Sequence, residues 1–258
     1  MNKVLSIPRL PLIIASVLLA AGFWFIPAIP QDLHYHNFSD QRNLLGVPNF
    51  YNVFSTLPYL VIGIYASGML WFSSCLIILP ALKPVYITFF IGVTLVCFGS
   101  GYYHLQPSNA ALLWDRLPMA IAFMAFFTLV IAEFINEVIA RKLFVPLVVA
   151  GVASVLYWHY TESLQQGDLR PYILVQFLPI LLIPYILLTR QSRFSHVYFY
   201  WLVLASYVLA KLLELGDAQI FDSIVLLSGH SLKHLISALA PLFVYLALRQ
   251  RHAVYNAE

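Results

Sequence analysis

Long apolar runs separated by short polar breaks fill almost the whole chain. A transmembrane helix needs about 20 mainly apolar residues, and by that measure the sequence predicts eight spans. The connections between them are short, and we find no internal repeat and no stretch that fits a soluble domain. The predicted spans lie roughly at 10–29, 48–71, 84–105, 111–134, 143–161, 171–189, 196–215 and 229–248. The pattern therefore predicts an all-α integral membrane bundle with eight spans.

Composition supports this prediction and excludes one class of partner. Hydrophobic residues make up 61% of the chain and charged residues 10%, and the mean hydropathy is +0.83. A soluble domain of this size could not cover so much apolar surface with polar groups. The net charge of +3 comes from Lys and Arg residues scattered singly and in pairs. Without a basic stripe, the sequence predicts a protein of the lipid bilayer and no nucleic-acid partner.

The first apolar run is either a cleaved signal peptide or a retained transmembrane helix. It follows Lys3 and Arg9, so a cleaved signal peptide must be considered. The run has no clear small-x-small cleavage site and is longer than a usual signal core, which favours a retained helix. We therefore divide the chain into an N-terminal transmembrane helix at 1–30 and a seven-helix membrane domain at 31–258.

Basic residues fall mainly in every second connection. If the N-terminus is cytoplasmic, the inner segments hold nine Lys and Arg residues, whereas the outer loops hold only Arg42 and Arg170. The positive-inside rule then places both termini in the cytoplasm. The nine inner residues are Lys3, Arg9, Lys83, Arg141, Lys142, Arg190, Arg193, Arg249 and Arg251.

Polar residues at three span ends form the candidate site. Ser100 and His104 are four residues apart at the end of one span, and such residues share a helix face. Asp115 lies near the start of the next span, and His230 and His234 open the last one with the i, i+4 spacing that lets two imidazoles bind one metal ion. The helix directions place these groups, and nearly every other intramembrane polar group, at the outer level of the membrane.

Each of these features also has a structural interpretation. The two histidines of the last span could simply hydrogen-bond neighbouring helices, and Ser100 could bond its own helix backbone. Lys211 and Glu214, three residues apart, are typical of a structural ion pair. Charged groups in a membrane cost at least about 2.5–3.5 kcal/mol each at its centre. Their shared depth therefore favours a functional cluster with His104, His230 and His234 as metal ligands.

The same motifs resemble those of a known family. The stretches GSGYYHLQPSNAALLWDRLPMAIAF and GHSLKHLISALAP, together with NFYNVFSTLPYL, are similar to alkaline ceramidases. The wider superfamily includes progestin and adiponectin receptors and haemolysin III-like proteins. The resemblance runs from about Pro48 to Leu248. It implies a seven-helix zinc-hydrolase bundle, here with one extra N-terminal helix.

Residue roles follow from this resemblance. It implies that zinc binds through His104, His230 and His234, and that Asp115 and Ser100 are the catalytic aspartate and serine. The animal alkaline ceramidases also have an acidic calcium site before the first core helix. In this chain that region has only two carboxylates, and Asn49 stands where an acidic residue is usual. The sequence therefore does not predict a calcium site.

Together these points predict a zinc-dependent amidohydrolase of the membrane. Three imidazoles leave one position of tetrahedral zinc open, which is typical of a catalytic site. Asp115 is the candidate general base, and Ser100 is placed to hydrogen-bond the attacking water or the oxyanion. Because the site lies within the depth of the outer leaflet, a ceramide-like lipid is the favoured substrate.

Two other classes of function stay open. A non-catalytic lipid receptor or sensor could use the same zinc bundle, as the receptor branch of the superfamily does. A transporter could use Lys211, Glu214 and Asp115 as an ion relay, although the chain lacks paired broken helices in two matching halves. The sequence predicts neither the lipid headgroup nor the oligomeric state.

Overall fold

The computed structural model describes residues 21–22 and 25–254. We number its α-helices α1 Phe50–Phe54, α2 Leu57–Phe72, α3 Lys83–Leu105, α4 Asn109–Phe134, α5 Glu137–Ser163, α6 Arg170–Thr189, α7 Tyr198–Leu215, α8 Asp217–Ile224, α9 Gly229–Ser237 and α10 Leu239–Gln250. Two short 3₁₀ turns lie at Leu33–His36 and Pro80–Leu82. No β-strand occurs within the described ranges.

Seven helical stretches of the described chain are long and apolar enough to cross a membrane. Four are single helices, and one joins the 3₁₀ turn at Pro80–Leu82 to α3. The other two, α1 with α2 and α9 with α10, are each one interrupted span. These seven match the second to eighth predicted spans. The predicted first span, at 10–29, lies mostly outside the described residues. Its last part, 25–29, forms a turn and irregular chain rather than helix.

The two interrupted spans have a common cause. Proline has no amide hydrogen, so the carbonyl four residues before it loses its helical partner. Pro58 stands in the first turn of α2, and α1 ends four residues earlier, at Phe54. Pro241 stands in the first turn of α10, and α9 ends four residues earlier, at Ser237. The hydropathy pattern predicted continuous helices here because both sides of each proline are apolar.

Helix α4 is the central element of the bundle. In its most apolar 18-residue window 78% of the residues are buried, against 22% for α5. It packs against α3, α5 and α6. Small side chains on α4 allow this close packing, and three of them are fully buried: Ala120, Ala125 and Ala132.

The two ends of the bundle carry different polar clusters. We call one the histidine end, where α3 ends and α4 and α9 begin. The other is the Glu133 end, where the buried Glu133 of α4 pairs with Arg251 at a distance of 2.7 Å. The expectation that nearly all intramembrane polar groups lie at one level is therefore wrong for Glu133. Nothing near Glu133 in the sequence indicates a partner for it, because Arg251 lies 118 residues later in the chain.

Residues 25–49, which we call the N-terminal cap, lie across the histidine end. The backbone amide of Leu169 donates to the carbonyl of Ile29 (2.8 Å). The ring of His36 bonds Tyr103 and Asn109, both at 2.9 Å. These bonds fasten the cap to the bundle along its length.

Candidate metal centre

Three buried histidines meet at the histidine end. His104 comes from the last turn of α3, and His230 and His234 come from α9. One ligand atom from each lies within 4.8 Å of the others. The Nε2 atoms of His104 and His234 are 3.3 Å apart. The structure thus brings together the three residues that the sequence predicted as ligands.

Two glycines permit the close helix packing that this geometry requires. A Cβ atom on Gly99 would lie 2.0 Å from the carbonyl oxygen of Trp114, so only glycine lets α3 approach the start of α4 here. A Cβ atom on Gly229 would lie 2.2 Å from the carbonyl oxygen of Leu213. Both glycines therefore fix the distance between the elements that carry the candidate ligands.

The hydrogen bonds of Ser55 define which nitrogen of His234 carries its proton. The Ser55 hydroxyl donates to the carbonyl oxygen of Asn52 (3.0 Å) and lies 2.8 Å from Nδ1 of His234. Because its proton is already used, Ser55 accepts from His234 Nδ1–H. Nε2 of His234 is then unprotonated and free to bind a metal, in the arrangement typical of metal-binding histidines.

The unpaired atoms of the cluster also fit a metal. Nε2 of His230 is buried and has no hydrogen-bond partner among the described residues. An unpaired polar atom in a buried site is costly unless a ligand or ion satisfies it. Three neutral imidazole nitrogens at this separation suit a divalent ion such as zinc. The histidine cluster could therefore hold a metal ion.

Ser100 and Asp115 lie beside this cluster. Both line the cavity that also reaches His234. Both residues are at least nine-tenths buried. A carboxylate, a hydroxyl and three imidazoles are thus collected at one site.

A deep cavity leads away from the cluster along the middle of the bundle. Its volume is about 300 Å³, and most of its wall is apolar. The wall includes residues of α6 and α7, two helices that make little direct contact with each other. Representative apolar residues of the wall are Phe89, Val93, Phe126, Ile180, Ile183 and Val203. The cavity therefore suits an extended hydrocarbon chain.

Charged groups gather where the cavity meets the histidines. Glu214 pairs with Lys211 at 2.7 Å and also with Lys233. The Lys211–Glu214 ion pair predicted from the spacing is present, and Lys233 adds a second cation to it. Tyr35 of the cap donates its hydroxyl to Glu214. Burial, and after it the Glu214 carboxylate, raises the pKa of Tyr35 well above its ordinary value, so the phenol stays protonated.

The cap contributes a residue that the sequence did not reveal. The ring of Phe38 lies 4.8 Å from that of His104 and 4.7 Å from that of His230, measured between centroids. Phe38 is 5% exposed and covers the histidines. A single aromatic residue in a polar loop carries no periodic signal, because its role depends on contacts with helices distant in the sequence.

Comparisons of the chain with protein-family models, with curated proteins and with solved structures found no match.

Proposed function

We propose that this protein is a zinc-dependent intramembrane hydrolase that cleaves the amide bond of a ceramide-like lipid. One observation carries the proposal. Three buried histidines lie next to Ser100 and Asp115, which line the same largely apolar cavity as His234. The resemblance of the motifs around these residues to alkaline ceramidases supports the same conclusion.

The metal would bind at His104, His230 and His234. When bound there, zinc would supply the Lewis acidity that activates water and polarises a carbonyl group. Ser55 orients His234, and Asn52 in turn fixes Ser55. One of the three candidate ligands is thus held in a fixed orientation, as is typical of metal-binding histidines.

Asp115 is the proposed general base. It accepts the proton of the attacking water and returns a proton to the leaving amine. Because Ser100 also lines the cavity, its hydroxyl is available to the oxyanion that forms during cleavage.

The cavity favours a lipid over a soluble substrate. Its wall is mostly apolar, and the cap lies across the histidine end. The weak contact between α6 and α7 provides a lateral route for an acyl chain. We infer that the substrate enters from the bilayer with its acyl chain in the cavity and its amide bond beside Asp115.

The variant Asp115→Asn tests this proposal. The amide has nearly the same shape as the carboxylate, so we expect unchanged zinc content and an unchanged unfolding temperature. Ceramide hydrolysis should fall roughly a hundredfold or more, the usual scale for loss of a positioned acid–base group. Asp168→Asn is the matched control, because Asp168 lies between α5 and α6 and pairs with Arg170 outside the cavity.

Two results would contradict the proposal. Near-normal hydrolysis by Asp115→Asn with zinc retained would give Asp115 a structural role. A wild-type protein that binds zinc and lipid but hydrolyses no ceramide, ester lipid or N-acyl amine would instead favour a receptor or sensor.

We also propose that both termini are cytoplasmic and that the histidine end faces the extracytoplasmic side. The distribution of basic residues supports this orientation.

Labelling of cysteines tests the orientation. The native Cys75 is exposed and lies between α2 and α3, at the Glu133 end, so it should not react with an impermeant thiol reagent in intact cells. Gln106→Cys, made with Cys75→Ser, should react. The reverse labelling pattern would place the site at the cytoplasmic face.

A further inference from the structure

Arg116 is a buried cation in the wall of the same cavity. It follows Asp115 on α4, lines the cavity and is 7% exposed. Its guanidinium carbon lies 4.2 Å from the ring centroid of Trp158 and 4.9 Å from that of Tyr172. Its Nη2 donates to Oε1 of Gln31 in the cap (2.6 Å). Aromatic rings and a neutral amide therefore hold the guanidinium in place.

These contacts leave the charge of Arg116 without a counter-ion in the described part of the chain. No carboxylate oxygen of the described residues lies within 4 Å of its nitrogens. Its Nη1 is buried and has no hydrogen-bond partner among those residues. Buried charges are normally paired, because an unpaired one loses its hydration without compensation. Arg116 therefore has an unused donor and an unbalanced charge.

The other ionisable groups of the cavity do not neutralise the positive charge of Arg116. Five Asp, Glu, Lys and Arg side chains line the cavity, and cations outnumber carboxylates by three to two. Lys211 and Lys233 both pair with the single carboxylate of Glu214. A metal ion on the histidines adds further positive charge. A cleft with an excess of positive charge and apolar walls attracts anions.

We propose that Arg116 binds an oxyanion, a carboxylate or a phosphate, on the headgroup of the lipid whose amide bond is cleaved. The inference rests on the proposed lipid-amide chemistry and deepens it by defining the headgroup. The planar guanidinium is suited to both oxyanions because it offers two parallel donors. An amide-linked lipid with a carboxylate is an N-acyl amino acid, and one with a phosphate is a phosphorylated ceramide.

Paired ligands that differ only in charge test the inference through binding. N-oleoylglycine is compared with N-oleoylglycinamide, and ceramide 1-phosphate with ceramide. Binding is measured on the full-length, zinc-loaded protein in detergent. We expect at least one anionic ligand to bind roughly 10- to 100-fold more tightly than its neutral partner, the range for a hydrogen bond to a buried charge. The pair that shows the preference identifies carboxylate or phosphate as the ligand.

Three variants assign this preference to Arg116. Arg116→Met keeps the length of the side chain and should reduce the ratio of affinities to about one. Arg116→Lys should retain part of the preference, since it keeps the charge and loses the planar fork. Arg193→Met should leave the ratio unchanged, because Arg193 pairs with Glu137 outside the cavity. A ratio of affinities within one variant does not depend on its stability.

The outcomes separate this inference from the proposed function. Equal affinity for charged and neutral partners, or binding of none of the four ligands, would overturn the anion site. Hydrolysis of neutral ceramide without any charge preference would leave the hydrolase proposal intact and remove the role of Arg116. A charge preference that Arg116→Met abolishes, without hydrolysis of any ligand, would retain the anion site and reject the hydrolase.

Discussion

The two ends of α4 carry buried charged groups that differ in their hydrogen bonding. At the Glu133 end, Tyr86 and Arg251 donate to Oε1 of Glu133 and Tyr200 donates to Oε2. Arg251 also donates through Nε to the carbonyl of Ile77 and through Nη2 to Tyr86. At the histidine end, Nη1 of Arg116 and Nε2 of His230 have no partner among the described residues.

The difference indicates a structural cluster at the Glu133 end and a candidate ligand-binding cluster at the histidine end. A fully paired polar network in a buried site makes the structure rigid and offers nothing to a ligand. A cluster with unpaired donors and acceptors is costly by itself and becomes favourable only when an ion or a substrate completes it. We therefore expect substitutions at the Glu133 end to change stability, and those at the histidine end to change binding.

The largest effect on stability should come from Glu133→Gln. Removing one partner of a buried ion pair costs about 3–5 kcal/mol, because the other charge stays buried without compensation. Glu137→Gln is the matched control, since the Glu137–Arg193 pair is partly exposed and such pairs contribute about 0–1 kcal/mol. Thermal unfolding in detergent measures both variants. Equal destabilisation by the two would show that the buried Glu133–Arg251 pair is no more stabilising than a partly exposed one.

Metal removal should have the next largest effect on stability. This effect should require the histidines of the histidine end and no other part of the protein. Metal present at 100 times its dissociation constant stabilises the folded state by about 2.7 kcal/mol. Prolonged treatment with a chelator should therefore lower the unfolding temperature of the wild type. His104→Ala should contain little zinc and show no response to the chelator. A normal response by this variant would exclude His104 as a ligand.

Ser55→Ala should weaken metal binding without removing it. The hydroxyl fixes the proton of His234 on Nδ1, and loss of such a partner typically costs 10- to 100-fold in metal affinity. Zinc titration with a competing chelator measures the change. Thr56→Val is the control, because the Thr56 hydroxyl bonds only α1 and α3. Similar zinc affinity in Ser55→Ala and Thr56→Val would show that the tautomer of His234 is not set by Ser55.

The smallest effects should come from two helix caps. Ser228 caps α9 and Asn136 caps α5, each by accepting a backbone hydrogen bond. Replacement of either by Ala should cost about 0.5–2 kcal/mol of stability. Only Ser228→Ala should also reduce zinc affinity, because α9 carries His230 and His234. A loss of zinc affinity in Asn136→Ala would show that the two ends are coupled.

Local patterns in the sequence predicted the spans and much of the candidate site. Apolar runs identify single helices, and the spacing of His230 and His234 defines their shared face without reference to the rest of the fold. The contact of Arg116 with Gln31 could not be predicted, because it depends on where the cap lies. Glu133 was missed because its importance depends on Arg251, 118 residues later in the chain.

The cap has a consequence for how a metal ion would reach the candidate site. Phe38 covers His104 and His230, and the side chain of Asn49 bonds the carbonyl of His104 (2.8 Å). An ion arriving from water must therefore enter before the cap is fastened or wait for it to open. In the proposed zinc protein, metal uptake would therefore belong to maturation, and exchange of the bound metal should proceed at the rate of cap opening, independent of chelator concentration.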